Sequence, residues 1–194
     1  MLQVIDTFPP YCYPIDYTID RIRLNESFCI LMKRLGASID SHFSVNLTHL
    51  PGITGNARWN QNNSGHQYLV DAGIDASDFT ELLEEVKDLY LGQVIRDITK
   101  LHKGIFQGRY QLTVMAPKKN YGRHIDVLTP SRYHIPLITN EDCYWVFCKD
   151  NQFYKLTMPA DNRVWFLDPV NIEHDFYNNS NSYRWHLILT SSVD

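Results

Sequence analysis

This sequence predicts a mainly β, α+β fold: an antiparallel double-sheet jelly roll of cupin-like type, a double-stranded β-helix, with flanking helices. Two observations carry that expectation. After Gly104, short β-rich runs recur at 106–116, 121–127, 131–139, 143–149, 152–158, 163–168, 171–177 and 183–191. Turn-forming stretches separate them, notably Pro117-Lys118-Lys119-Asn120, Asp150-Asn151 and Asn178 to Ser182. Eight short strands of alternating character are the pattern of two facing antiparallel sheets. The second observation is a single strong helical stripe placed before them, suited to cover the outside of a sheet.

The elements follow in chain order. Residues 1–25 combine Pro9, Pro10 and Pro14 with several tyrosines and read as an extended arm on the body. Residues 26–35 are apolar enough for a short helix ending at Gly36. From 40 to 71 the pattern is strand-like, interrupted by Pro51-Gly52 and Asn62-Asn63-Ser64-Gly65. A helix is expected from Ser77 or Asp78, because Phe79, Leu82, Leu83, Val86, Leu89 and Tyr90 fall at helical spacing. Val94, Ile95, Ile98 and Leu101 extend the stripe. Gly92 costs about 1 kcal/mol relative to alanine in such a helix, so the stripe is either bent or divided in two. In Arg132-Tyr133-His134-Ile135-Pro136-Leu137, positions 132, 134 and 136 share one face. Pro136 cannot donate to a ladder, so its strand lies at an edge or carries a bulge. The 194 residues are read as one domain. Residues 1–104 supply the arm, strands and supporting helices, and 105–194 supply the core jelly roll.

A net charge of −4 provides no long-range attraction for nucleic acid or an anionic membrane. No apolar run approaches the roughly 20 residues that span a bilayer. Cys12, Cys29, Cys143 and Cys148 show neither redox nor zinc-finger spacing. Free thiols, together with an N-terminus lacking the features of a secretory signal, point to a cytoplasmic protein. The Asn46-Leu47-Thr48 triplet is then a chance match to a glycosylation site.

The chemistry is carried by His124-Ile125-Asp126, with His174 48 residues after Asp126. Two imidazoles and one carboxylate are the ligand set of a facial triad, which leaves positions open on Fe(II). On a strand, His124 and Asp126 point to the same side and can grip one ion. Arg184 follows His174 by ten residues. Its planar guanidinium suits two-pronged capture of a carboxylate. Metal, open sites and a carboxylate clamp together point to an oxygenase that uses a 2-oxo acid.

The neighbouring residues sharpen this into a resemblance. Arg132-Tyr-His134-Ile-Pro-Leu follows the His-x-Asp pair, and Arg163-Val-Trp-Phe-Leu-Asp168 precedes the last histidine. His174-Asp-Phe-Tyr-Asn178 then leads into Arg184-Trp-His-Leu-Ile-Leu. This order resembles the aspartyl/asparaginyl β-hydroxylase family of Fe(II)- and 2-oxoglutarate-dependent oxygenases, which takes in proline hydroxylases. The resemblance covers residues 105–192 closely and 40–104 loosely. It implies that His124, Asp126 and His174 hold Fe(II) and that Arg184 binds the distal carboxylate of 2-oxoglutarate. Arg132 and His134 match the family's Arg-x-His pair beside the cosubstrate. With O2, the family couples decarboxylation of 2-oxoglutarate, to succinate and CO2, with hydroxylation of a C–H bond. Some members carry Gly where this chain has Asp126, so the complete triad leans toward the proline-hydroxylase-like branch. The implied substrate is an amino acid, free or within a peptide, with proline, aspartate and asparagine as candidates.

Competing readings are set beside these. An isolated His-x-Asp is more often a solvent-facing pair, and only the ordered combination with His174, Arg132, His134 and Arg184 makes it a metal site. Zinc accepts the same ligands, but no His-Glu-x-x-His and no adjacent general base are present. A non-catalytic cupin-like module binding a metal or small acid is one rival; an oxygenase acting on a nucleobase is the other, and it lacks a basic stripe. His186 shares the face of Arg184 and either lines the pocket or sits as a satisfied core histidine. His42, His49, His66 and His102 have no ligand-like companions and read as structural. Trp145, Phe147, Phe153, Tyr154, Trp165 and Phe166 read mainly as sheet core. Arg58-Trp59 reads as surface loop, and Lys118, Lys119 and Arg123 as a solvated loop that, with Tyr121, could also meet an anionic substrate. The residues leave the oligomeric state open.

Overall fold

A computed structural model describes residues 2–40, 44–52, 78–101, 110–126 and 131–190. Its strands are β1 (Leu2–Ile5), β2 (Cys12–Thr18), β3 (Val45–Asn46), β4 (Thr48–His49), β5 (Glu81–Leu82), β6 (Gln111–Met115) and β7 (Lys119–Asn120). They continue as β8 (His124–Ile125), β9 (Arg132–Ile138), β10 (Cys143–Lys149), β11 (Gln152–Leu156), β12 (Arg163–Leu167), β13 (Glu173–Asn178) and β14 (Arg184–Thr190). The helices are α1 (Arg21–Arg34), α2 (Glu84–Lys87) and α3 (Tyr90–Leu101). One six-stranded sheet runs β1-β11-β10-β13-β7, with β8 also pairing β13. The other runs β2-β12-β9-β14-β6-β3, and β4 pairs β5 apart from both.

Alternation along the strands decides what each face does. In β9, Tyr133, Ile135 and Leu137 join α1 and α3 in one core cluster, as the sequence pattern predicts. That core lies between the second sheet and the helices. Trp145, Phe147 and Phe176 of the first sheet meet Met115, Trp165 and Leu167 of the second in another. The molecule is thus layered as helices, sheet, sheet. The polar face of β9 looks into the inter-sheet core, where its His134 packs edge-on against Trp145 of the opposite sheet. Phe153, expected in the core, lies only half-buried.

Pro136 sits in a central strand, so the bulge is the alternative realised. The register to β14 passes from Trp185↔Ile138 to His186↔Pro136, leaving Leu137 extra. The guanidinium of Arg21 donates to the carbonyls of Pro136 and Leu137, supplying partners at the irregularity.

Three expectations need correction. The N-terminal stretch is more than an arm: β1 pairs in parallel with β11, and β2 pairs antiparallel with β12. The first helix begins at Arg21, because Asp20 caps it by accepting from the Arg23 backbone N–H at 3.1 Å. It ends as expected, with Gly36 at φ +64°. The second helical stripe starts later than Ser77 or Asp78 and is divided. Leu82 pairs with Thr48 across β5 and β4, which commits the backbone there to extended structure. α2 and α3 are separated at Asp88 and Leu89, where Asp88 takes a two-pronged ion pair from Arg34. Gly92 is required for close approach: a Cβ there would lie 2.2 Å from the Val86 carbonyl oxygen.

The four cysteines are free thiols, two of them buried. Among the described residues, no helix is long and apolar enough to cross a membrane. His42, Arg58-Trp59, His66, the Asn62 to Gly65 turn and His102 lie outside the described residues.

Candidate functional site

β8 and β13 pair antiparallel with His124 directly opposite His174, so both rings project from one face. Asp126 follows two residues on, forming a bridge with Val170 and accepting from the Asn171 backbone N–H at 3.0 Å. The acceptor is the Asp126 backbone carbonyl, so the contact ties the main chain at Asp126 to the turn leading into β13. The result is a cluster of His124, Asp126 and His174 whose ligand atoms all lie within 4.8 Å of one another. His124 Nε2 is 3.7 Å from one carboxylate oxygen, and His174 Nε2 is 3.9 Å from the other. Donors each about 2.1 Å from one ion stand about 3–4 Å apart, so the spacing fits a shared metal.

The Nδ1 atoms fix which nitrogen is free. His124 Nδ1 lies 2.7 Å from the Gly122 carbonyl, and His174 Nδ1 lies 2.9 Å from the Ile172 carbonyl. A carbonyl only accepts, so each Nδ1 carries the proton and each Nε2 keeps its lone pair for a metal. Burial is graded across the cluster: the side chains of His174, Asp126 and His124 are 2%, 16% and 44% exposed. His174 forms the floor and His124 the open rim. Burial pushes His174 below its ordinary pKa, holding it in the neutral form that binds metal.

Arg132, at the start of β9, places a guanidinium nitrogen 3.7 Å from the Asp126 carboxylate. Trp145 links the cluster to the deeper interior, its ring centroid 5.8 Å from that of His174 and 5.6 Å from that of His134. Beyond it lie His134, His186 and Arg184, all buried. The Arg184 guanidinium stacks 3.7 Å over the Phe176 ring and donates from its Nη2 to His186 Nδ1. Among the described residues no carboxylate pairs with it. Its Nε is buried without a partner, as are Nε2 of His134, Nε2 of His186 and the indole nitrogens of Trp145 and Trp165. Burial pushes the Arg184 guanidinium down to about 9, so near neutral pH it remains charged, with no acid partner among the described residues. Burial, and then the charge of Arg184, hold His134 and His186 well below the usual imidazole range. A buried cation and desolvated N–H donors beside it form an environment that an anion would satisfy.

All six residues singled out from the sequence are therefore described. Three converge as the candidate metal ligands, Arg132 adjoins them, and His134 and Arg184 share the deeper cluster. Two neighbours were not assigned: His186, whose signal was its two-residue spacing from Arg184, and Trp145, whose alternation matched ordinary core. Asn178 is structural. Its Nδ2 donates to the carbonyls of Met115, Ala116 and Ser182, and its Oδ1 accepts from Ser180 and Cys143. Lys118 donates to the Asn179 carbonyl. Arg123 lies over Phe153, with Glu173 at 3.8 Å.

The chain matches no protein-family model and no curated protein. Among solved structures it is similar to an oxidoreductase of the 2OG-Fe(II) oxygenase family from Burkholderia pseudomallei, with 16% identity and a TM-score of 0.42. That likeness covers 55% of this chain and 57% of the other, so this chain spans little more than half of that protein's length. It is also similar to a Pseudomonas putida prolyl-4-hydroxylase, over 95% of both chains, with 11% identity and a TM-score of 0.49.

Proposed function

We propose that this protein is an Fe(II)- and 2-oxoglutarate-dependent dioxygenase, built on a double-stranded β-helix, that hydroxylates an amino acid or peptidyl residue. The observation that carries this reading is the convergence of His124, Asp126 and His174, with both Nε2 atoms freed by Nδ1 contacts to carbonyls. Two nitrogens and one carboxylate oxygen suit Fe(II) and leave positions for other ligands. The Arg184 cluster, with its orphaned N–H donors and no carboxylate partner among the described residues, suits the carboxylate of a 2-oxo acid. When bound, iron would supply oxidation of a C–H bond by O2, coupled to conversion of 2-oxoglutarate to succinate and CO2.

The residues of the chain supply placement. His174, fixed at the floor, and Asp126, its backbone tied to the turn that precedes β13, present a preformed ligand set. Arg184 holds the distal carboxylate of the cosubstrate, offsetting the cost of taking that anion out of water. Arg132 reaches both Asp126 and the cosubstrate side, and His134 lines the space between. Trp145 and Phe176 exclude water from the deeper end. The exposed rim at His124 leaves the substrate side open, and proline, aspartate and asparagine are the substrate candidates.

The test is a turnover screen with Fe(II), 2-oxoglutarate and O2 over free amino acids and short peptides. Succinate should form together with a 16 Da mass gain on one substrate class. Metal and 2-oxoglutarate binding with no succinate under any condition would reduce the protein to a binding module.

A further inference from the structure

We propose that His186 is a positioning residue for the anion held by Arg184: it orients the guanidinium through Nδ1 and offers Nε2–H as a further donor. This rests on the functional reading above for the identity of the anion, a 2-oxo dicarboxylate, but not for the contact itself. Arg184 and His186 lie two residues apart on β14 and therefore on one face. The guanidinium is only a donor, so the Nδ1 that receives its Nη2 proton is a bare lone pair. His186 must then be the Nε2–H tautomer, and that N–H is buried with no partner.

His134 Nδ1 stands 3.5 Å from the same His186 Nδ1. Two lone pairs there would repel, so His134 carries its proton on Nδ1 and presents Nε2 as a bare acceptor. One cation thus orders both imidazoles. On its other side the guanidinium is flat against Phe176, so ring stacking and the His186 contact together fix its plane. Three nitrogens of the cluster remain unsatisfied: the acceptor Nε2 of His134 and two donors, Arg184 Nε–H and His186 Nε2–H. A carboxylate has acceptor sites for both donors.

Two substitutions separate the two parts of this role. His186→Leu removes both nitrogens while retaining apolar bulk. His186→Asn places an acceptor near the former Nδ1 and supplies no equivalent of Nε2–H. The experiment combines imidazole nitrogen NMR on the parent with calorimetric titration of 2-oxoglutarate into the Mn(II)-loaded parent and both variants. The parent should show His186 as a single Nε2–H tautomer. His186→Leu should weaken 2-oxoglutarate binding about tenfold, the loss of one such hydrogen bond, with His186→Asn in between. Mn(II) affinity should stay at the parent value in both variants and marks them as folded. If the parent binds no 2-oxoglutarate but His186 is the Nε2–H tautomer, the functional reading falls and the Arg184–His186 arrangement is supported. A mixed or Nδ1–H tautomer would overturn the positioning role, as would a Mn(II)-binding His186→Leu variant that binds 2-oxoglutarate like the parent.

Discussion

His124 and His174 face each other across the β8–β13 pair with ring centroids 4.3 Å apart, and each anchors Nδ1 on the carbonyl two residues before it. The same local device, used on both partner strands, aligns two imidazoles for one ion. Neither ring depends on a side-chain partner for its tautomer. Each tautomer is set by a backbone carbonyl just before its strand, at Gly122 and Ile172, and the β8–β13 pairing then brings the two rings together.

Removing one ring should therefore abolish the site. His174→Ala leaves one imidazole and one carboxylate, which hold Fe(II) poorly. Anaerobic iron titration should show a large loss of affinity together with loss of turnover. His49→Ala is the control, because His49 Nδ1 contacts the Leu50 carbonyl at 2.9 Å, with Glu81 nearby, far in chain and pairing from the triad. Its iron stoichiometry should match the parent. Unchanged affinity in His174→Ala would remove the ligand assignment.

Gly92→Ala tests a packing relationship in which two effects oppose each other. Helix propensity favours alanine by about 1 kcal/mol. Against it, the added Cβ would meet the Val86 carbonyl oxygen at 2.2 Å and its carbon at 3.1 Å, both backbone atoms that cannot swing aside. Overpacking of this kind costs about 1–3 kcal/mol, so the clash should prevail and the variant should be destabilised. Thermal unfolding followed by circular dichroism should show a lower midpoint with iron affinity unchanged. An equal or higher midpoint would show that α3 can shift away from α2 at little cost.

The stretch just before α2 shows how far the sequence is legible. Phe79 to Leu83 repeat at a helical interval, yet that stretch is extended because β4 takes up its backbone. Short apolar runs do not distinguish the two periods when a partner strand lies far away in the chain. The strands after Gly104 were readable because their alternation is regular and their turns are marked by Asn, Asp and Pro. The triad was readable because the two-residue spacing of His124 and Asp126 acts locally. The role of Trp145 was not, since a ring between a metal site and an anion site alternates like any core ring. The bulge at Leu137 was half-readable: Pro136 demanded an irregularity, but only pairing on both sides excluded an edge.

The two deep histidines should make stability fall in mild acid. Burial and Arg184 hold His134 and His186 well below the ordinary imidazole range in the folded state. The unfolded chain, with pKa near 6.5, then binds protons more readily, so stability is full above about pH 6.5 and declines below it. Each histidine contributes a slope of up to about 1.4 kcal/mol per pH unit until its folded pKa is reached. Urea unfolding of chelator-treated protein between pH 7.5 and 5 should show this decline, and His186→Leu should reduce the slope. A flat profile for the parent would mean that these imidazoles gain protons without unfolding.

Arg184 is the residue whose replacement best separates binding from stability. In the unliganded protein it is a buried cation stacked on Phe176 with no acid partner among the described residues. Such a charge is costly, so Arg184→Gln should be no less stable than the parent. Binding should move the other way. Loss of a buried charge-assisted pair costs about 3–5 kcal/mol, or several hundred-fold or more in affinity for 2-oxoglutarate. Arg184→Lys keeps the charge but loses the two-pronged geometry and the flat stacking, and should fall between parent and Arg184→Gln. Iron affinity should barely change, because Arg184 lies outside the cluster of His124, Asp126 and His174. Calorimetry of 2-oxoglutarate binding to the Mn(II)-substituted protein, with circular dichroism to confirm folding, measures both quantities. A folded Arg184→Gln variant that binds 2-oxoglutarate like the parent would transfer the carboxylate-binding role to Arg132, the other guanidinium beside the site.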